Sequence, residues 1–364
     1  MRVLVVNAGS SSLKLRLLGP DDEVLAQHDL DAPRAEADPG ELAAVLAELE
    51  EVEAVGHRVV HGGERFAEAV PVDAEVREAL RRLGDLAPLH QPKSLAVLDA
   101  VTAALPDVPA VACFDTAFHA TLPPAAATYP VPAGWRDRWG VRRYGFHGLS
   151  HAYAARRATE MAPGAGRVVT CHLGAGASLA AVHDGRSVET TMGFTPLEGL
   201  VMATRSGSVD PGLIMWLLER GHMDAAGLAH ALEHESGLQG LAGSADMREV
   251  LERADGGDAE ARLALDVYGH RLRAGVAAMA AALGGLDALV FTGGVGENAA
   301  AVRERACAGL EFLGMALDGE ANARARGDSD VSADGSAAAV LVVAAREDLE
   351  IARQVRTALA PGAE

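Results

Sequence analysis

Short runs of strand-forming residues alternate with helical stretches along most of the chain. In the opening segment "RVLVVNAGSSSLKLRLLG", a period of two puts Leu13, Leu15 and Leu17 on one face and Ser10, Ser12, Lys14 and Arg16 on the other. That pattern predicts a strand with its leucines turned to a core, entered through a turn of small residues after Asn7. Further strand-like runs stand at "VEAVGHRVVHGG", "DVPAVACFDTAF", "VVTCHLGAGASLAAV", "ALVFTGG" and "AVLVVAA", and helices are predicted over 73–83, 94–105, 150–161, 258–283 and 297–313. Such alternation indicates an α/β protein. The Pro- and Gly-rich stretches near 122–134 and 317–336 carry few apolar residues and read as exposed loops.

Residues 2–13 and 167–178 share one pattern: an arginine, a run of apolar strand formers, one polar residue (Asn7 or His172) and a turn of small residues. The two copies start about half the chain apart, a hint of internal duplication that stands beside the alternative of chance similarity between short strands. A length of 364 residues fits two domains, and the boundary is expected near residue 149.

Hydrophobic residues make up 49% of the chain with no long polar tract, as in a folded protein. A formal charge of −19 argues against a nucleic-acid partner or a membrane surface, both of which need basic patches. Cys113, Cys171 and Cys307 are far apart, fitting neither a disulfide scaffold nor a zinc site, so a cytoplasmic location is expected. The start is too short in apolar residues for a secretory signal. The densest apolar segments fall short of the roughly 20 residues that a spanning helix requires.

Several stretches can carry chemistry. The "NAGSSS" turn can surround an anion with N–H groups and hydroxyls, or be a plain hairpin. "LVFTGGVGENAAAVR" ends a strand in glycines that let backbone approach a ligand, with a helix starting near Glu297, but it matches neither a Walker loop nor a Rossmann fingerprint. Arg58 and Val60 share one face of "GHRVVHGG", opposite His57, Val59 and His61, which suits a small ligand with a carboxylate head and a methyl tail; a surface ion pair is the plainer role for the arginine. Asp115 sits just past the run "AVACF", where open α/β sheets place ligand residues, and a capping role is the alternative. His147 precedes a helix that Ser150 can cap, and "TPLEGLVMATRSGSVDPGL" combines Pro196, Arg205 and Asp210 in a stretch too rich in turn formers for a helix.

In order, "VLVVNAGSSSLK", "GHRVVHGGE", "LAPLHQPKSL", "FDTAFH", "RRYGFHGLSH", "HLGAGASL", "FTPLEGLVMATRSGSVDP", "FTGGVGENAAAVR" and "REDLEIAR" closely resemble the acetate kinase family, a branch of the acetate and sugar kinase, Hsp70 and actin superfamily. The resemblance covers nearly the whole chain. It implies a duplicated, ribonuclease H-like two-domain α/β fold with a nucleotide cleft between the domains. Residues 1–149 would form the first domain, completed by a C-terminal helix over about 348–364, and residues 150–347 the second.

The same resemblance implies direct in-line transfer of the ATP γ-phosphoryl group to acetate, reversibly, giving acetyl phosphate and ADP. Asn7 and Glu347 would serve Mg²⁺, with Mn²⁺ as its substitute, and Ser10, Ser12 and Lys14 the phosphates. Arg58 and Arg205 would meet the substrate carboxylate and the transferring phosphoryl group, His147 the same phosphoryl group, and Asp115 would organise the cluster. Val60, Leu89, Phe146 and Pro196 would surround the acid's methyl group. His90, His172, Gly174, Ala175, Gly176, Asp246, Met247, Arg248, Gly293, Gly294, Val295, Gly296, Glu297 and Asn298 would line the cleft and the nucleotide site, and a homodimer is implied. Three features depart from the family pattern: Ala175 stands where the family turn has asparagine, Arg346 where it has asparagine or aspartate, and the chain is shorter than most members. The alternatives are a propionate or butyrate kinase of the same family, or a nucleotide-binding homologue with weakened catalysis.

Overall fold

In a computed structural model of the chain, residues 1–9, 12–31, 39–49, 51–86 and 91–360 are described. They form two compact units, one from Met1–Ala120, Phe146–Tyr153 and Arg346–Glu364, the other from Thr121–Gly145 and Ala154–Ala345. Each is built on a mixed sheet. The first contains β1 (Val3–Ala8), β2 (Ser12–Leu18), β3 (Val24–Asp31), β4 (Ala54–Val59), β5 (Val70–Pro71) and β6 (Ala110–Phe114) in the order β3-β2-β1-β4-β6-β5. The second contains β7 (Arg167–Leu173), β8 (Ala177–His183), β9 (Arg186–Thr190), β10 (Ala288–Thr292), β11 (Ser329–Asp330) and β12 (Ala339–Val342) in the order β11-β12-β10-β7-β8-β9.

Strand for strand the two sheets follow one plan. An antiparallel meander (β1-β2-β3 or β7-β8-β9) continues into two parallel strands (β4 and β6, or β10 and β12), and an antiparallel two-residue strand closes the edge (β5 or β11). The internal repeat read between residues 2–13 and 167–178 corresponds to β1 with β7 and the start of β2 with that of β8.

The run Val3–Val6 is apolar throughout because β1 is buried on both faces, as central strands of parallel character are. Leu4, Val6 and Val55 join Leu13, Leu15 and Leu17 of β2 against Leu42 and Leu46 of the helix Pro39–Glu48 and Val97 and Val101 of the helix Gln91–Ala104. Val3, Val5, Ala54, Val111 and Cys113 pack on the opposite face against Ile351, Ala352 and Val355 of the helix Glu347–Ala358. Gly56 admits that helix closely, since a Cβ there would come within 2.5 Å of Ile351 and 2.7 Å of Val355. In the second unit the helix Ala259–Leu283 lies on β7, β8 and β9, nearest at Gly275, where a Cβ would come within 2.7 Å of Leu179.

Several expectations change. The helix over 297–313 is instead two, Gly293–Asn298 and Ala300–Cys307, because Ala299 leaves the helical region (φ −103, ψ 84). The first begins at Gly293, directly out of β10, rather than near Glu297; φ of +79 at Gly293 makes that abrupt entry. The stretches 122–134 and 317–336 contain the short helices Pro124–Ala127 and Gly319–Arg324, and the second also contains β11. Around residue 149 the chain interleaves: Thr121–Gly145 groups with the second unit, tied there by Thr121 Oγ1 donating to the Ser187 carbonyl (2.8 Å) and by Tyr144 and Gly145 N–H donating to Gly193 O (3.1 and 3.2 Å). Among the described residues no helix is long and apolar enough to cross a membrane.

Candidate active site

β1, β4 and β6 run parallel, and the strand period places Asn7, Arg58 and Asp115 in line with Val5, Gly56 and Cys113, on the face covered by the helix Glu347–Ala358. All three lie at the carboxyl ends of these strands, where open α/β sheets gather ligand residues. The Arg58 guanidinium donates to Asp115 through Nε (3.2 and 3.1 Å) and Nη2 (2.6 Å), and through Nη1 to Asn7 Oδ1 (3.2 Å). Asn7 Nδ2 in turn donates to Glu347 Oε2 at 2.8 Å. One connected chain of polar groups therefore joins three strand ends to the first turn of the last helix.

Burial by itself would pull Arg58 down, but the Asp115 and Glu347 carboxylates outweigh it and hold the guanidinium above its ordinary value. Burial pushes the Asp115 carboxyl up, and the forked contact with Arg58 opposes that shift. His147 follows closely in space. It adopts φ of +57, which a non-glycine residue keeps only where its surroundings enforce it. The enforcing contacts are the Gly148 N–H donating to the Asp115 carbonyl (2.8 Å) and His119 Nε2, 3.0 Å from the Phe146 carbonyl oxygen. Phe146 and Val60 are buried, and Phe146 meets the His61 ring edge-on at 5.6 Å. Ser12 is half-buried and Lys14 exposed on β2; Ser10, Leu89 and His90 lie outside the described residues.

In the second unit, the β7–β8 turn closes with Gly174 N–H donating to Gly176 O at 2.9 Å, and Ala175 at its apex is exposed. The Ala175 carbonyl accepts from Ala203 N–H (3.1 Å), and Ala203 O from Gln239 N–H (2.9 Å), so this turn supports the loop that carries Arg205. Gly237, at φ of +63, lies under the same loop, where a Cβ would come within 2.8 Å of Arg205 O. Arg205 Nη1 donates to the Pro196 carbonyl at 2.7 Å, and burial lowers this guanidinium from its ordinary value.

His172 is half-buried at the end of β7. Gly293 rests on the backbone of Leu173 (2.8 Å from its O to a built Cβ), Gly296 is buried, and Gly294 faces open space. Val295 is half-buried, Glu297 Oε1 accepts from Ala345 N–H (3.0 Å), and Asn298 Nδ2 donates to Gly294 O (2.9 Å). Asp246 caps the helix Met247–Asp255 by accepting from Arg248 N–H (2.9 Å), Arg248 folds back onto the same carboxylate at 2.6 Å, and Met247 is in the core.

The sequence model of the acetokinase family matches residues 39–353. The chain belongs to the acetokinase family. It is 53% identical over 315 residues to an acetate kinase of Gloeobacter violaceus, a match covering 85% of this chain and 78% of that protein. The solved structure of the Porphyromonas gingivalis acetate kinase aligns with a TM-score of 0.90 at 37% identity, covering 99% of this chain and 100% of that one. A propionate kinase of Francisella tularensis aligns with a TM-score of 0.91 at 35% identity, covering 98% and 99%.

Sequence reading missed the groups that hold this acetokinase site in shape. Arg303 is fully buried and donates to Gly296 O and Glu297 O (both 2.8 Å) and to Asn322 Oδ1 (2.7 Å) and O (2.7 Å), anchoring the glycine-rich segment from beneath. Its one local signal is a charge beside the buried positions Val302, Ala306 and Cys307. The site also suits a divalent metal. Glu347 offers a hard carboxylate oxygen, and Mg²⁺ typically takes one or two carboxylates, substrate phosphates and waters. The Asn7 oxygen accepts from Arg58 while its amide donates to Glu347, so Asn7 would act on such an ion only by orienting Glu347.

Proposed function

We propose that this acetokinase is an acetate kinase, transferring the γ-phosphoryl group of ATP to acetate and back. The observation that carries the reading is the half-buried Arg58, permanently cationic and locked by the buried Asp115 and by Asn7 at the strand ends, in a chain of this family. A carboxylic acid of pKa about 4 is already the nucleophile at neutral pH, so no general base is needed. The task left to the protein is to hold two anions together and neutralise charge on the moving phosphoryl group. Arg58 orients the carboxylate, Arg205 and His147 receive the phosphoryl oxygens, and Asp115 keeps Arg58 in one orientation. Val60, Phe146 and Pro196 set the space for the acid's tail, and the β7–β8 turn and the Gly293–Gly296 segment serve the nucleotide. Mg²⁺, held through Glu347, supplies further neutralisation of phosphate charge when bound.

A second acid is favoured by one observation, the near-equal likeness to a propionate kinase. Incubation with Mg-ATP and a panel of short carboxylates, trapping acyl phosphate with hydroxylamine, tests both readings. Acetate giving the highest hydroxamate yield supports the acetate kinase, propionate or butyrate the second reading, and ATP binding without hydroxamate from any acid defeats both.

The proposal includes a homodimer. The helix Pro211–Glu219 reads "PGLIMWLLE" and buries none of its residues, with Leu213, Met215 and Trp216 46%, 52% and 51% exposed. An apolar face of that kind marks an association surface. Three buried free cysteines accord with a reducing cytoplasm.

A further inference from the structure

We propose that Tyr129, Glu198 and Arg143 form a positioning network that sets the loop carrying Pro196 and, through it, the orientation of Arg205. The inference rests on the acetate kinase reading, in which Pro196 borders the acid and Arg205 meets the phosphoryl group.

Residues 191–198 have no regular secondary structure, so something other than a ladder must fix them. One guanidinium holds both ends. Arg143 Nη1 donates to Thr191 O (3.2 Å) and Met192 O (3.0 Å), while Nη2 donates to Glu198 Oε1 (2.9 Å). The other oxygen of Glu198 accepts from the Tyr129 hydroxyl, and that hydroxyl oxygen accepts from Phe194 N–H at 3.0 Å. The Arg143 guanidinium also lies over the Tyr129 ring, 5.4 Å from its centroid, with Glu189 Oε1 3.8 Å from Nε. Gly193 completes the clamp, because a Cβ there would overlap both Glu198 Oε2 and the Tyr129 hydroxyl.

The part of the loop left between these anchors is Thr195–Leu197, and its Pro196 carbonyl takes the hydrogen bond from Arg205 Nη1. The hydroxyl of Tyr129 stays protonated, since burial and the Glu198 hydrogen bond both raise it, so it remains a donor across the working range. Four backbone or side-chain anchors thus converge on a loop whose free segment touches one substrate side and steers one catalytic side chain. A displacement of about 1 Å at such a point costs up to roughly 10²-fold in rate.

The test uses the full-length protein. Tyr129→Phe deletes one oxygen from the network, and Arg143→Lys keeps the charge but loses the fork that reaches both loop ends. Both variants are expected to raise the acetate KM about tenfold and lower kcat, with the ATP KM unchanged. A fall in kcat with both KM values unchanged, tracking a lower Tm, would make the network merely structural and overturn the proposal, as would wild-type kinetics in both variants. Hydrogen exchange reads the loop without any turnover: peptides spanning 191–205 should exchange faster in Tyr129→Phe while those of the first unit do not. Unchanged exchange overturns the network, whereas wild-type protein that makes no hydroxamate from any acid overturns the acetate kinase reading alone.

Discussion

A half-buried guanidinium paired with one buried carboxylate and drawn by a second keeps its charge at any pH the fold survives, and Arg58 has that setting. Replacing it with alanine removes the fixed cation and also strands Asp115, which is 1% exposed. Arg58→Ala should therefore lose at least about 3 kcal/mol of transition-state stabilisation, a factor of roughly 10² in rate, together with about 3 kcal/mol or more of stability. Arg205→Ala should show a similar kinetic loss with little change in Tm, because Arg205 is held by a carbonyl rather than paired with a buried acid. Steady-state kinetics and thermal melts on the same preparations separate the two. Ala175 makes a different kind of prediction. Its carbonyl bond to Ala203 uses only backbone, so Ala175→Asn leaves the turn's support intact while adding an amide at an exposed apex. ATP affinity by calorimetry should improve by about 0.5 to 1.5 kcal/mol; no gain would mean the nucleotide already finds its partners.

At the scale of elements, β4 shows how one strand serves a core and a site. Its alternate residues Gly56 and Arg58 face the helix Glu347–Ala358, and His57 points the other way, 2% exposed, its Nε2 without a hydrogen-bond partner among the described residues. Burial pushes the His57 imidazole down to about 3. The unfolded chain, titrating near 6.5, binds the extra proton, so this stability is complete above about pH 6.5 and falls as pH drops toward 3, by about 1.4 kcal/mol per unit. Urea midpoints at pH 7.5 and 5 should show the wild type losing about 2 kcal/mol more than His57→Leu. The junction between β6 and the helix Gly148–Met161 is equally exacting. A Cβ at Gly148 would overlap the Asp115 carbonyl, so Gly148→Ala should cost about 1 to 3 kcal/mol in stability and lower kcat by displacing Asp115 and His147 from each other. The strand faces were legible in the sequence because periodicity is local: the separation of Arg58 from His57, and the burial of Leu13, Leu15 and Leu17, follow from a period of two. The helix Pro211–Glu219 was not, since its run "LIMWLL" is apolar at every position and so carries no amphipathic signature. Nor was the Tyr129–Glu198–Arg143 network, whose members are joined only by the folded loops.

For the whole molecule, light scattering on the purified chain should give the mass of two copies, and Trp216→Glu should yield the mass of one while leaving each copy folded. A monomer in the wild type would remove the homodimer from the proposal. The duplication was visible as two similar hairpins, but the matching edge strands β5 and β11 were not, being two residues each and unlike in sequence. The interleaving at 121–153 also escaped a single boundary near 149, because a chain that crosses back into its first unit leaves no compositional mark.

The first unit is assembled from three separated segments, and the last begins at Arg346. During synthesis, Val3, Val5, Val111 and Cys113 must wait for Ile351, Ala352 and Val355 to leave the ribosome before that face of their sheet is covered. The second unit has by then been translated in full. A nascent chain interrupted before Glu347 would hold Asn7, Arg58 and Asp115 without the carboxylate that completes their chain of hydrogen bonds, and with an open apolar sheet for chaperones to recognise. Glu347, in the last segment of the first unit to be made, is thus the final group to join that chain of hydrogen bonds.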